Sequence, residues 1–295
     1  MNSRSRRLYL LLVPILLVSC AVGKRTQETV TRRWPAAGIT RVEIREVNGS
    51  LSVEAGNPAE ITLVAEVEAR GFEPKKDEEN HGYFKTSISG HTLRIGREHK
   101  RVIVRIPLFN RNDVTVNYSL HVPPAVALDL RTVNGRIATR GIDASTDAVT
   151  VNGPIDLETS GSGIVSAKTV NGRVVAKFLE TFQGAKLKTV NGSVEAMLPS
   201  TASFVCDLSQ VNGDFEASFP VSIYSHPGSR RVSGEVNGGQ YSLKIVTVNG
   251  DIQLANTPVA AAAPARPVMP AKPPAPTPAV PSAPAAPAAP APPST

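Results

Sequence analysis

The chain has 295 residues, 32 of them basic and 25 acidic, for a formal charge of +7; 41% are hydrophobic and 5% aromatic. Without Arg4, Arg6 and Arg7 at the start, and Arg266 and Lys272 near the end, the stretch from Cys20 to Leu254 stands near +2. So small an excess removes the basic balance as an argument for nucleic-acid binding.

Residues 1–19 read as a secretion signal, with Arg4, Arg6 and Arg7 followed by an apolar run from Leu8 to Val18. The run is too short to span a membrane. Leu17-Val18-Ser19-Cys20 resembles the lipobox of bacterial lipoproteins, which implies that Cys20 is lipidated and becomes the mature N-terminus. The competing reading is an ordinary signal peptide with a chance cysteine. Ala21 follows Cys20 where an Asp would indicate retention at the inner membrane, so the expectation leans to the outer membrane. With Cys20 acylated, Cys206 is alone and no intramolecular disulfide is expected. Cys206 alternates with Phe204 and Leu208, as a small apolar side chain on a buried face would.

Residues 20–35 read as a polar leader off the membrane, ending in Arg32-Arg33-Trp34-Pro35. Trp34 either touches lipid headgroups or plugs the first edge of the core. From residue 36 to 128 the pattern alternates as strands do, with Val42/Ile44, Leu51/Val53, Ile61/Leu63, Val114/Val116 and Leu128/Leu130. This region is expected to cap a repeat array that begins near residue 129, since a repeat stack needs a distinct terminal unit. Within it Arg94, Arg97, Lys100, Arg101, Arg105 and Arg111 form a basic stretch. It could meet an anionic surface, or be the solvated face of a strand around Val102, Ile103 and Val104.

The chain repeats Val-Asn-Gly eight times, at Asn48-Gly49, Asn134-Gly135, Asn152-Gly153, Asn171-Gly172, Asn191-Gly192, Asn212-Gly213, Asn237-Gly238 and Asn249-Gly250. From Asn134 the steps are 18, 19, 20, 21, 25 and 12 residues. Asn and Gly both tolerate left-handed backbone angles, so each pair is a strong turn signal. Apolar residues stand three places after the Asn (Leu51, Ile137, Ile155, Val174, Val194, Phe215, Ile252), and usually four places before it. At Asn237 the rule breaks, because Gln240 takes the apolar place. Two architectures could use such a unit: a meander of antiparallel hairpins, or a parallel β-solenoid whose corners stack. The slowly growing step and the missing midway turn between Asn134 and Asn152 favour an all-β parallel solenoid of 18–21-residue rungs over residues 129–255. The apolar position four before Asn and the Val one before it differ in parity, so pointing both inward predicts a bend near the intervening Thr.

A Val-Pro strand end, then Val126, Leu128 and Leu130, then Thr-Val-Asn-Gly rungs, resembles a bacterial putative-adhesin family of unknown function. The resemblance covers about Val42 to Leu254 and implies a β-helical body behind an export signal. Residues 256–295 change character: 14 of the 25 prolines lie between Pro258 and Pro293, mixed with Ala, which predicts a disordered tail of polyproline character. It is either a spacer or inert.

No catalytic, metal or cofactor motif emerges. His81, His91, His99, His121 and His226 have no metal-ligand spacing, and no nucleophile elbow or phosphate loop is present. The slot after Gly reads Ser50, Arg136, Pro154, Arg173, Ser193, Asp214, Gly239 and Asp251. Its two acids are not in consecutive rungs by sequence, and the dense Asp repeat of calcium-binding β-rolls is missing. The reading is a non-enzymatic, lipid-anchored envelope protein, periplasmic or surface-facing, acting as an adhesion or interaction scaffold. Its expected partners are the membrane through the lipid and an envelope polysaccharide or protein, with no nucleic acid. The alternatives are an envelope-stress sensor or regulatory module and, third, a polysaccharide-active enzyme.

Overall fold

The structure, a computed structural model, describes residues 25–70, 83–96, 114–226 and 229–257. The signal segment, Cys20 and the Pro/Ala tail beyond residue 257 lie outside them.

Twenty-one strands form a ten-stranded and an eleven-stranded sheet, with no helix among the described residues. Each rung gives one strand to each sheet, joined by a Val-Asn-Gly corner. In sequence order the pairs are β2 (Arg41–Arg45) with β3 (Leu51–Ala55), β8 (Ala127–Arg131) with β9 (Ile137–Arg140), and β10 (Thr146–Val149) with β11 (Ile155–Thr159). Then come β12 (Val165–Lys168) with β13 (Val174–Phe178), and β14 (Ala185–Lys188) with β15 (Val194–Leu198). The last two are β16 (Phe204–Gln210) with β17 (Phe215–Ala217), and β20 (Tyr241–Val246) with β21 (Ile252–Asn256). Equivalent strands pair in parallel: Ile137 stands beside Ile155, Ile155 beside Val174, Val174 beside Val194, and Val194 beside Ile252.

Spatial order departs from chain order at the far end. Strands β20 and β21 lie between the β14/β15 rung and the β16/β17 rung. The hairpin of β18 (Ser222–His226) and β19 (Ser229–Val236) carries the chain out and back, with β19 antiparallel to β16. At the near end the ten-stranded sheet closes with β7 (Val114–Val122), β4 (Glu60–Arg70) and β1 (Arg25–Pro35), and the eleven-stranded sheet with β6 (Thr92–Gly96) and β5 (Lys85–Ser89).

Two expectations change here. Residues 25–35 are not a leader but strand β1, antiparallel to the whole of β4. Its inward positions include Glu28 and Arg32, both buried, so no apolar alternation announces it. The Arg32 guanidinium lies 5.7 Å from the centroid of the Phe84 ring and its Nη1 donates to Thr86 Oγ1. Trp34 ends the strand buried in the core. The region before residue 129 is also continuous with the array. β2 and β3 form a full rung parallel to β8 and β9, and the proposed boundary falls inside β8.

The core fills the space between the sheets. In the middle rungs it is lined by short side chains such as Ala148, Ala167, Ala176 and Ala196. Towards the far end it widens into edge-to-face rings, with Phe182 5.0 Å from Phe178 and 5.8 Å from Phe204.

Inside the corner, Thr rather than Val faces the core. Thr132, Thr150, Thr169, Thr189 and Thr247 are buried, whereas the neighbouring Val133, Val151, Val170, Val190 and Val248 are exposed. The expected inward Val is therefore wrong, and the chain bends at Val and Gly, on either side of the Asn bridge, not at Thr. The reason is a carbonyl. Each Thr hydroxyl donates to the Gly carbonyl of the preceding rung in the stack: Thr132 to Gly49 at 3.2 Å, Thr150 to Gly135 at 3.1 Å, Thr169 to Gly153 at 3.0 Å, Thr189 to Gly172 at 2.9 Å and Thr247 to Gly192 at 3.1 Å. A buried carbonyl without such a donor is costly. The end rungs use longer side chains in the same place. Gln210 Nε2 donates to the Gly250 carbonyl at 2.8 Å, and the buried Glu46 accepts from the Tyr118 hydroxyl at 2.9 Å.

The glycines stack so closely that a Cβ has no space. A Cβ on Gly153 would lie 2.1 Å from the Gly135 carbonyl oxygen, and one on Gly172 2.1 Å from that of Gly153. Thr169→Val keeps the shape and removes the donor, so denaturant unfolding should show a loss of about 1–2 kcal/mol; no loss would mean the hydroxyl ladder is not stabilising. Gly153→Ala should cost about 3 kcal/mol or more by forcing two rungs apart. Gly38→Ala should cost only about 1 kcal/mol, because Gly38 has φ +85° and open space around its Cβ position. Equal losses at both glycines would contradict the close-stacking account.

Candidate functional site

The corner presents a two-column ridge to solvent. In spatial order its asparagines are Asn48, Asn134, Asn152, Asn171, Asn191, Asn249 and Asn212, each bridged in parallel to the next. Their side chains form an amide ladder. Each Nδ2 donates to the Oδ1 of its neighbour, from Asn134 to Asn48 at 2.8 Å and Asn152 to Asn134 at 2.8 Å, through to Asn249 to Asn191 at 2.9 Å and Asn212 to Asn249 at 2.8 Å. An amide has two N–H donors and two acceptor lone pairs. Each inner Asn of the ladder therefore keeps one donor and one acceptor for a ligand or water. The backbone beneath is fully occupied, as at Asn152, whose N–H bonds the Val133 carbonyl at 2.7 Å while its carbonyl accepts from Gly135 at 3.1 Å.

Beside the amides runs a column of valines, 36 to 45% exposed from Val133 through Val151, Val170, Val190 and Val248 to Val211. Single exposed valines need no explanation, but a continuous column is an apolar strip. Sequence reasoning placed these valines in the core. The available signal was the Thr that precedes five of the six, with Gln210 before Val211, because neighbours on an extended chain face opposite ways.

The eighth pair, Asn237-Gly238, is not in the column. Asn237 has φ +49° in the turn after β19, and its Nδ2 donates to the carbonyls of Ser200 at 3.1 Å and Ala202 at 2.9 Å. This is the copy whose Gln240 broke the apolar rule in the sequence.

The slot after Gly also changes meaning. Because β21 lies between β15 and β17, Asp251 and Asp214 stand in adjacent rungs although they are 37 residues apart. Asp251 Oδ1 accepts the Asp214 N–H at 2.8 Å, which ties one carboxylate into the corner backbone. Nearer the middle, Asp156 is held between Arg136 at 2.7 Å and Arg173 at 3.4 Å on the outer face of the ten-stranded sheet. Among the described residues no group of three His, Cys, Asp or Glu side chains is placed to hold a metal ion. Cys206 is buried, and burial pushes its thiol up, away from a reactive thiolate.

Of the basic stretch, Arg94 lies on the outer face of β6, where its Nε meets Glu43 Oε2 at 3.1 Å. Arg97, Lys100, Arg101, Arg105 and Arg111 lie outside the described residues.

No curated protein matches the sequence. Among solved structures, the chain is similar to "a putative cell adhesion protein" from Clostridium sporogenes ATCC 15579, at 8% identity and a TM-score of 0.40, over 79% of this chain and 100% of that one. It is also similar to "a putative adhesin" from Bacteroides fragilis NCTC 9343, at 12% identity and a TM-score of 0.35, over 78% of this chain and 97% of that one. The model of the family described as Toastrack DUF4097 matches residues 35–255, which takes in the corner column and the strands of both sheets apart from β1. The chain belongs to the Toastrack DUF4097 family.

Proposed function

We propose that the protein is a non-enzymatic interaction scaffold of the cell envelope, anchored by a lipid on Cys20, whose corner ridge holds an extended polymer. The observation that carries this reading is the pairing of two columns, one of exposed valines and one of laddered amides. At about 4.8 Å per rung the seven amides offer roughly 29 Å of hydrogen-bonding edge, and the six valines beside them roughly 24 Å of apolar contact. An uncharged polysaccharide has the matching surface, C–H faces next to hydroxyls. The Leu17-Val18-Ser19-Cys20 run supports the anchor, and Ala21 supports the outer membrane as its address.

The ridge is tested with Val151→Ser, Val170→Ser and Val190→Ser combined, measuring binding to immobilised envelope polysaccharides. These side chains are exposed, so the thermal transition should hardly move. Binding should fall about tenfold. Unchanged binding would remove the ridge as the contact surface, and capture of a single envelope protein in place of glycans would favour the sensor reading. Polysaccharide turnover that disappears on changing Asp214 and Asp251 to Asn would replace the scaffold with an enzyme. For the anchor, cells fed labelled palmitate should label the protein, and Cys20→Ser should abolish the label; label that persists would refute lipidation at Cys20.

A further inference from the structure

The outer face of the eleven-stranded sheet divides into two electrostatic halves. Over β2, β8 and β10 the charges are mixed: Glu43 pairs with Arg45 and Arg94, Arg131 meets Asp129 at 2.8 Å and Asp147 at 3.0 Å, and Arg41 alone has no carboxylate within ion-pair distance among the described residues. Over β12, β14 and β20 they are not. The parallel register sets Lys168 beside Lys188 and Lys186 beside Lys244. Lys244 is neutralised by Asp207 at 2.8 Å, whose carboxyl sits below the usual carboxylate range because Lys244, then Arg231, bonds its charged form. Lys168, Lys186 and Lys188 have no carboxylate within ion-pair distance among the described residues.

Like charges opposite one another on paired strands destabilise a sheet, so the fold itself gains nothing from this grouping. Lysines are mobile point charges without the planar fork of arginine, and they suit phosphate as a charge more than they suit one fixed carboxylate. The outward positions of the three strands carry Ser, Lys and Val. The aromatic of β20, Tyr241, turns its ring to Phe182 at 6.4 Å. Neither sugar rings nor bases have a stacking platform here. A flat anionic membrane would meet the whole face, including Glu43, Asp129 and Asp147 on the neighbouring strands. A chain crossing only β12, β14 and β20 avoids them.

We propose that this face binds a linear phosphate polymer, with Lys168, Lys186 and Lys188 neutralising successive phosphates. The lysines recur about 4.8 Å apart across the strands and roughly 6.6 Å apart along β14, within reach of one extended polyanion. Lys168 and Lys188 stand two residues before Val170 and Val190, so the site borders the corner ridge, but it rests on charge and not on the apolar column, and the lysine and valine variants test the two separately.

The test uses the full chain carrying Cys20→Ser, so that no lipid can insert, with fluorescein-labelled inorganic polyphosphate followed by anisotropy at low salt. Changing Lys168, Lys186 and Lys188 to Gln should weaken binding about tenfold or more, and added salt should weaken the parent protein progressively. A charge-matched triple on the other sheet, Arg33→Gln, Arg140→Gln and Lys177→Gln, should change it less than about twofold. The lysine triple should melt no lower than the parent, because it relieves repulsion. Equal weakening by both triples, or no binding by the parent, would overturn the proposal. So would lysine-dependent binding to phosphatidylglycerol vesicles without binding to polyphosphate.

Discussion

The fold depends on how closely one rung can approach the next at a single corner. There the Gly Cα of one turn lies against the Gly carbonyl of its neighbour, in a space that no Cβ could share. That approach buries a carbonyl, the buried carbonyl requires a donor, and a hydroxyl two residues before the Asn supplies it. Outside, the same approach brings the Asn amides into hydrogen-bond range of each other. Thr, Asn and Gly thus answer one geometric demand from three sides. Val is the member of the repeat that the corner does not need inside, which leaves it free to be a surface.

Much of the architecture is legible in the sequence because the Asn-Gly spacing is itself a register. A step of 18 to 20 residues puts Ile137, Ile155, Val174 and Val194 side by side, and only parallel strands do that with one repeated turn. Asn237 is legible as an outsider from Gln240 alone. Hydropathy misleads at the corner, where it ranks Val above Thr while the buried Gly carbonyl selects the hydroxyl. It misleads again in β1, whose inward Glu28 and Arg32 hide a strand among polar residues. The neighbouring Asp214 and Asp251 could not be seen, because nothing local says that the chain will leave a rung open and return to fill it. Nor could the lysine group, whose members come from different rungs and meet only through strand register.

The two outer faces carry their charge differently. On the ten-stranded sheet Asp156 lies between two arginines, and Arg140 faces Glu158 at 3.7 Å. Exposed ion pairs of this kind contribute little to stability. Their effect is to leave that face nearly neutral in the middle of the stack. The eleven-stranded sheet instead groups Lys168, Lys186 and Lys188 without a carboxylate on β12 and β14, so the two faces present different chemistry to whatever approaches them.

The order in which the far rungs are filled has a consequence for how the protein is made. Residues 204–217 reach the ribosome exit before residues 241–256, yet their place in the stack is one level further out. Among the described residues β16 and β17 have no parallel neighbour other than β20 and β21, so their rung is completed only by strands that follow them in the chain. The last strands to be synthesised among those described are therefore a keystone, slid between courses already laid, and the assembly locks only when they arrive.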